Sequence, residues 1–222
     1  MRHAALFVAL LATAHLAHAG IIIIQEVDQV TPAEGKTQMT MKLSGGHARV
    51  DVGNQFSSII DLSTNTVTSL LHAQKLAMEL PKGVFEAAKK RASTQAAKPD
   101  LKPTGKKEMI NGYACEEYTG TLQGLAVTYW VTKDVPNQKE ILAQMSQLSG
   151  GADPFKGALA NGADFPGFPI RTIVKSPQMG SSTMTVLSIK NADLPDSTFA
   201  IPADYKSMAV PAMPSPGGSP GH

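Results

Sequence analysis

Between Lys36 and Leu43 the chain alternates without a break. Thr37, Met39, Met41 and Leu43 take one side, and Lys36, Gln38, Thr40 and Lys42 the other. Successive side chains of a β-strand point to opposite faces, so this period of two sorts the segment into an apolar and a polar face; a helix would scatter the same residues around its circumference. The pattern recurs. Ala48, Val50 and Val52 alternate with His47, Arg49 and Asp51, and Leu125, Val127, Tyr129 and Val131 share a face with Trp130 opposite. Thr183 to Ile189 is β-branched and alternating, and Ile21–Ile24 reads as a short buried strand. Further strands fit residues 57–61, 66–71, 76–80, 105–110, 115–122 and 170–174. Gly45-Gly46, Gly53-Asn54 and Asn111-Gly112 mark turns between them; the last is the pair hairpins favour, because both residues accept positive φ.

Two stretches break this rhythm with helical spacing. Pro81 suits a first helical position, and Val84, Phe85, Ala88 and Ala92 form an apolar stripe through about Ala97. A second helix is predicted after Asn137, an N-cap with Glu140 three residues on; its stripe is Ile141, Leu142, Met145 and Leu148, and Gly150-Gly151 ends it. Gly150–Pro169 is rich in Gly and Pro and carries Phe155, Phe165 and Phe168. A loop that long is usually functional or disordered. Ala209–His222 is dominated by Pro and Gly and reads as a disordered tail.

The first nineteen residues read as an address. Arg2 supplies a positive start, Ala4–Leu16 an apolar stretch too short to span a bilayer, and Ala17-His18-Ala19 a cleavage site. Processing at Ala19/Gly20 would release a periplasmic or secreted protein, soluble after cleavage. No Cys follows the site, which argues against a lipid anchor. The expected organisation is therefore a signal peptide over residues 1–19, one domain over 20–208 and a tail over 209–222.

Composition narrows the chemistry. Of 222 residues, 17% are charged, and Lys+Arg number 20 against 18 Asp+Glu. A soluble domain usually carries about 25% charged residues, and this near balance excludes a strongly basic nucleic-acid binder. The single Cys, Cys115, excludes an intramolecular disulfide and any Cys-cluster metal site. It is followed by Glu116 and Glu117, which disfavour a thiolate; a buried small hydrophobe is the simplest reading, with an intermolecular disulfide as the other. His47, His72 and His222 lie outside metal-ligand spacing of one another, so no metal and no cofactor are expected. No motif activates a serine; Ser57 and Ser58 sit in an ordinary strand pattern. The expectation is a non-enzymatic protein, which a perturbed Asp51 or Glu117 facing a cavity would overturn. One local charge feature remains. Lys82–Lys107 holds eight basic residues against Glu86 and Asp100. Such a segment suits an anionic membrane surface or an acidic partner, although a solvated helix face has the same composition.

Three motifs carry a resemblance. They are Gly112-Tyr113-Ala114-Cys115-Glu116-Glu117-Tyr118, the strand end Trp130-Val131-Thr132-Lys133-Asp134, and the closing Phe199-Ala200-Ile201-Pro202-Ala203-Asp204-Tyr205. With Ala48-Arg49-Val50-Asp51 and Ile59-Ile60-Asp61-Leu62, they are similar to a bacterial exported domain family of unknown function. That family resembles the Lol-type periplasmic lipoprotein carriers. The resemblance implies a mainly β (α+β) fold: a curved antiparallel, unclosed β-barrel with two helices packed on its open side. It also implies a binder of an apolar ligand, a lipid or lipoprotein acyl chain, held on the concave face. The residues expected to line that face are Met39, Met41, Leu43, Val50 and Val52, with Phe155, Phe165 and Phe168 as a lid. The alternative is an envelope-structural or protein-interaction module whose barrel is filled by its own side chains.

Overall fold

The computed structural model describes residues 18–29, 35–81, 83–87, 90, 100–122, 124–148, 165–176 and 180–209. Twelve strands form one sheet. They are β1 (His18–Gln29), β2 (Thr37–Ser44), β3 (His47–Val52), β4 (Phe56–Asp61), β5 (Thr66–Leu71), β6 (Leu76–Glu79), β7 (Lys102–Ile110), β8 (Tyr113–Leu122), β9 (Leu125–Thr132), β10 (Phe168–Ser176), β11 (Gly180–Leu194) and β12 (Lys206–Ala209). The order across the sheet is β12-β6-β5-β4-β3-β2-β1-β11-β10-β9-β8-β7. Its edges are β12 and β7, so the sheet does not close into a barrel. The chain order of six strands, a helical segment at 83–87, three strands, the helix Gln138–Leu148 and closing strands is the one the sequence implies.

Consecutive strands are joined by tight turns that the residues dictate. Gly45 and Gly46 have φ of +56° and +84°, and Asn111 and Gly112 +49° and +87°. Two successive left-handed residues let a two-residue hairpin follow the twist of its strands. The Asn111 side chain also donates from Nδ2 to the Val186 carbonyl at 2.8 Å, which ties this hairpin tip to a strand three places away in the sheet. That contact requires the sheet to curl.

The curled sheet wraps one main core. Ile23, Leu43, Ala48, Ile60 and Val67 come from one half, and Ile110, Cys115, Trp130, Phe168 and Ile170 from the other. Phe85 and the helix residues Ile141, Leu142, Met145 and Leu148 fill the space between. Tyr129, Val127 and Val131 form a separate cluster, as expected from their alternation with Trp130.

Four expectations need correction. Val84 is exposed and Phe85 alone enters the core; the two are about 100° apart on a helix, and the larger apolar side chain takes the inward position. Ala88 and Ala92 lie outside the described residues. Pro81 precedes the helical segment, its carbonyl accepting from Val84 N at 2.8 Å. Asn137 contributes through its carbonyl, which accepts from Glu140 N and Ile141 N, and it does so at φ +53°, not with the extended backbone of an ordinary N-cap. Finally, the closing strand departs from the antiparallel scheme: β12 pairs parallel with β6.

β1 and β11 are longer than their apolar runs suggest, because they pair with each other through a bulge, Ile24 and Gln25 facing Ser188 and Val186. The expected processing point falls inside β1, where His18 and Ala19 pair with Leu194 and Asp193; the ladder continues from Gly20 opposite Ala192. No described helix is long and apolar enough to cross a membrane.

Candidate functional site

Register decides which residues share the inner face, the one that carries Leu43 and Ala48 into the main core. Met39 pairs with Val52, Met41 with Val50 and Leu43 with Ala48, so all five residues expected to line the ligand face lie on one side of the sheet. They divide between two environments. Leu43 belongs to the helix-filled core. Met39 and Val50 join Val27 and Met184 in a separate buried cluster, with Met41 and Val52 packed against it. Its core members Val27, Met39, Val50 and Met184 are 4–8% exposed, and among the described residues every member of the cluster comes from β11, β1, β2 or β3.

Beyond Met184 the ladder reaches Thr172, a buried polar residue, and then Tyr129. Tyr129 belongs to its own cluster, where Phe165 stands edge-on to its ring, with centroids 5.0 Å apart and planes at 83°. The methionine strip therefore spans the four strands β3, β2, β1 and β11, about 14 Å at the usual strand spacing. Phe168 does not join it as a lid residue; it is the first residue of β10, buried in the main core. Phe155 lies outside the described residues.

Besides Thr172, two more buried polar side chains interrupt this face. Gln25 pairs with Met39 on one side and Val186 on the other, and is 2% exposed. Ser58 pairs with Val50 and is fully buried. Neither Gln25 Oε1 nor Ser58 Oγ has a hydrogen-bond partner.

A second cluster, on the opposite face of β2–β5, was not foreseen. Asp51 accepts from Lys42 Nζ at 2.8 Å, Arg49 Nε at 2.7 Å and Ser57 Oγ at 2.6 Å. His72 sits between Ser57 and Tyr205: its Nε2 is 2.7 Å from Ser57 Oγ and its Nδ1 is 2.5 Å from the Tyr205 hydroxyl. With the proton on Nε2 the bonds run in one direction, Tyr205 to His72 to Ser57 to Asp51. Arg49 also donates to the Thr198 carbonyl at 3.2 Å, and Phe199 and Tyr205 cover Ile59, Leu70 and Ala77. The closing segment is therefore latched onto the sheet by the Arg49–Asp51 strand. Sequence held the signal, since both partners belong to the motifs that carry the resemblance. What it hid is that they touch.

A serine beside a histidine suggests a nucleophile. Here the serine has no surface to attack from: Ser57 is fully buried and its proton is committed to Asp51. Burial pushes the Asp51 carboxyl up, but Lys42, Ser57 and Arg49 together hold it below the ordinary range. Thr104 and Lys106 likewise lower Glu117, through a 2.7 Å hydrogen bond and a 3.3 Å ion pair. Both are ionised carboxylates rather than the raised acids a general acid needs. Cys115 lies at an open groove of about 380 Å³ bordered by Lys107, Glu108, Met109 and Lys133. It is itself buried, and burial pushes its thiol up to about 11, which removes the thiolate a reactive cysteine requires.

Of the basic segment, Lys102, Lys106 and Lys107 are exposed on the edge strand β7, with Lys102 near Asp100 and Lys106 paired to Glu117. Lys82, Lys89, Arg91 and Lys98 lie outside the described residues. Among the described residues, no three His, Cys, Asp or Glu side chains converge as a metal site would need.

Several solved structures resemble the chain. PNGF-II is 14% identical with a TM-score of 0.42 over 86% of this chain, which spans about a third (31%) of that protein's length. MucB, solved in complex with MucA, is 8% identical with a TM-score of 0.39, covering 89% of this chain and 61% of its own. The LolA superfamily protein NE2245 from Nitrosomonas europaea is 12% identical with a TM-score of 0.34, covering 83% and 90%. No curated protein matches the chain in sequence. Residues 20–205 match the model of a domain of unknown function, DUF4412, and the chain belongs to that family.

Proposed function

We propose that this protein is a non-enzymatic binder of an apolar ligand, the acyl chain of a lipid or lipoprotein, and that it works in the periplasm or after secretion. The observation that supports this reading is the division of the inner face. One half is filled by Phe85 and the helix Gln138–Leu148, whereas the largely buried strip of Val27, Met39, Met41, Val50, Val52 and Met184 has, among the described residues, no helix side chain in its cluster. Methionine suits a surface that must adapt to a flexible chain. Each acyl CH₂ removed from water contributes about 0.8 kcal/mol, so ten of them would supply roughly 8 kcal/mol before ordering costs.

The helix-filled half supports a second reading, a self-filled module that acts through protein contacts. A titration separates the two. A fluorescent long-chain fatty alcohol should bind the wild-type protein saturably at one site. Met41→Trp, which fills the strip, should weaken that binding about tenfold, the effect of roughly 1.4 kcal/mol, while thermal unfolding stays cooperative. Absence of saturable uptake by the wild type contradicts the carrier reading and favours the self-filled module. Exposed lysines on β7 fit a supporting role at an anionic surface, where the ligand would be collected or delivered.

A further inference from the structure

Gln25 is the most anomalous side chain on the inner face. It occupies β1 between Ile23, a member of the helix-filled core, and Val27, a member of the methionine strip. Across the ladder it faces Met39 and Val186. A buried amide oxygen with no donor is destabilising, and native structures rarely keep one without a use. Leucine or methionine at this position would extend the apolar alternation of β1 without interruption. Backbone geometry marks the same spot. The β1–β11 bulge lies between Ile24 and Gln25, leaving Leu187 as the extra residue. Bulges re-aim side chains and recur beside functional sites.

We infer that Gln25 is the polar anchor of the ligand site: its Oε1 accepts a hydrogen bond from an N–H or O–H donor at the polar end of an acyl-chain amphiphile, whose chain lies along the Met39–Met184 strip. This rests on the binding reading above and adds a chemical selectivity to it. A buried acceptor discriminates strongly between a ligand that supplies a donor and one of the same shape that does not, because the second leaves the acceptor unpaired while removing it from any other partner. The ligand class is thus an amide- or hydroxyl-headed single chain, not a hydrocarbon or a simple ester.

Dodecan-1-ol and its isomer methyl undecyl ether test this, since they share one formula and chain length and only the alcohol carries an O–H donor. Each is competed against the bound fluorescent fatty alcohol on the purified protein. The wild type should prefer the alcohol by about tenfold, the worth of one net hydrogen bond. In Gln25→Met the preference should fall to near unity, with binding of the ether retained or improved. Equal binding of alcohol and ether by the wild type overturns the anchor while leaving the apolar site intact. So does a preference that survives in Gln25→Met. Failure of the wild type to take up the fluorescent alcohol or either competitor overturns the binding reading itself, and the anchor with it. The wild-type comparison decides the anchor even if the variant does not fold.

Discussion

Asp51 shows how much one side chain can organise. It lies on the polar side of β3 and gathers Lys42, Arg49 and Ser57 around one carboxylate. Its pKa is lowered in the folded protein. A depressed carboxyl contributes stability that is present above the unfolded value near 3.9 and is lost as pH falls through the folded value. Asp51→Asn should therefore cost about 1–3 kcal/mol at neutral pH, the usual effect of disrupting a part-buried charged hydrogen-bond network. The difference from wild type should narrow as the pH drops below about 4. Urea unfolding across the acid range checks this; a difference independent of pH would mean that Asp51 is not an ionised partner in the fold. At this scale the sequence was partly readable. The alternation placed Met39, Met41, Val50 and Val52 on one face, and the register confirms it. It gave no hint of the Ser57–His72 bond, because residues fifteen apart meet only through the pairing of β4 with β5 and the turn that follows.

Among the elements, the closing segment repays the closest attention. A 3₁₀ turn at Asp196–Phe199 leads to β12, and the segment crosses the polar face of β3–β5 before adding to the sheet edge at β6. It shields Ile59, Leu70 and Ala77 and covers an edge that would otherwise offer unpaired backbone groups. His72 and Tyr205 are its central contact, joined by a hydrogen bond and an edge-on ring pair at 5.9 Å. His72→Ala and Tyr205→Phe should each destabilise the protein. Together they should do so by less than the sum, with a coupling of about 0.5–2 kcal/mol. Strict additivity in a double-mutant cycle would show that the latch is not a cooperative unit. Strand positions and hairpin turns were legible because period-two alternation and positive-φ residues are local signals. The parallel docking of β12 was not, because the motif Phe199–Tyr205 states its residues but not its partner. Nor did local pattern reveal the length of β1 and β11, which comes from their mutual pairing across the bulge.

For the whole molecule, the family resemblance conveyed the architecture and its chain order, and the twelve-stranded unclosed sheet bears both out. What it left open was whether the inner face is filled. Helix residues occupy the main core, and a buried methionine-rich strip with Gln25 at its border lies beside it. The polar cluster that most resembles catalytic machinery is part-buried under the closing segment, with Ser57 at its centre fully buried. The central claim is that the strip holds an acyl chain. Native mass spectrometry of the protein purified from a bacterial periplasm, followed by solvent extraction and lipid analysis of the released material, tests it most directly. The expected result is a bound mass of one acyl-chain amphiphile per protein, carrying a hydroxyl or amide head. A clean unliganded mass that does not change when such lipids are added would contradict it.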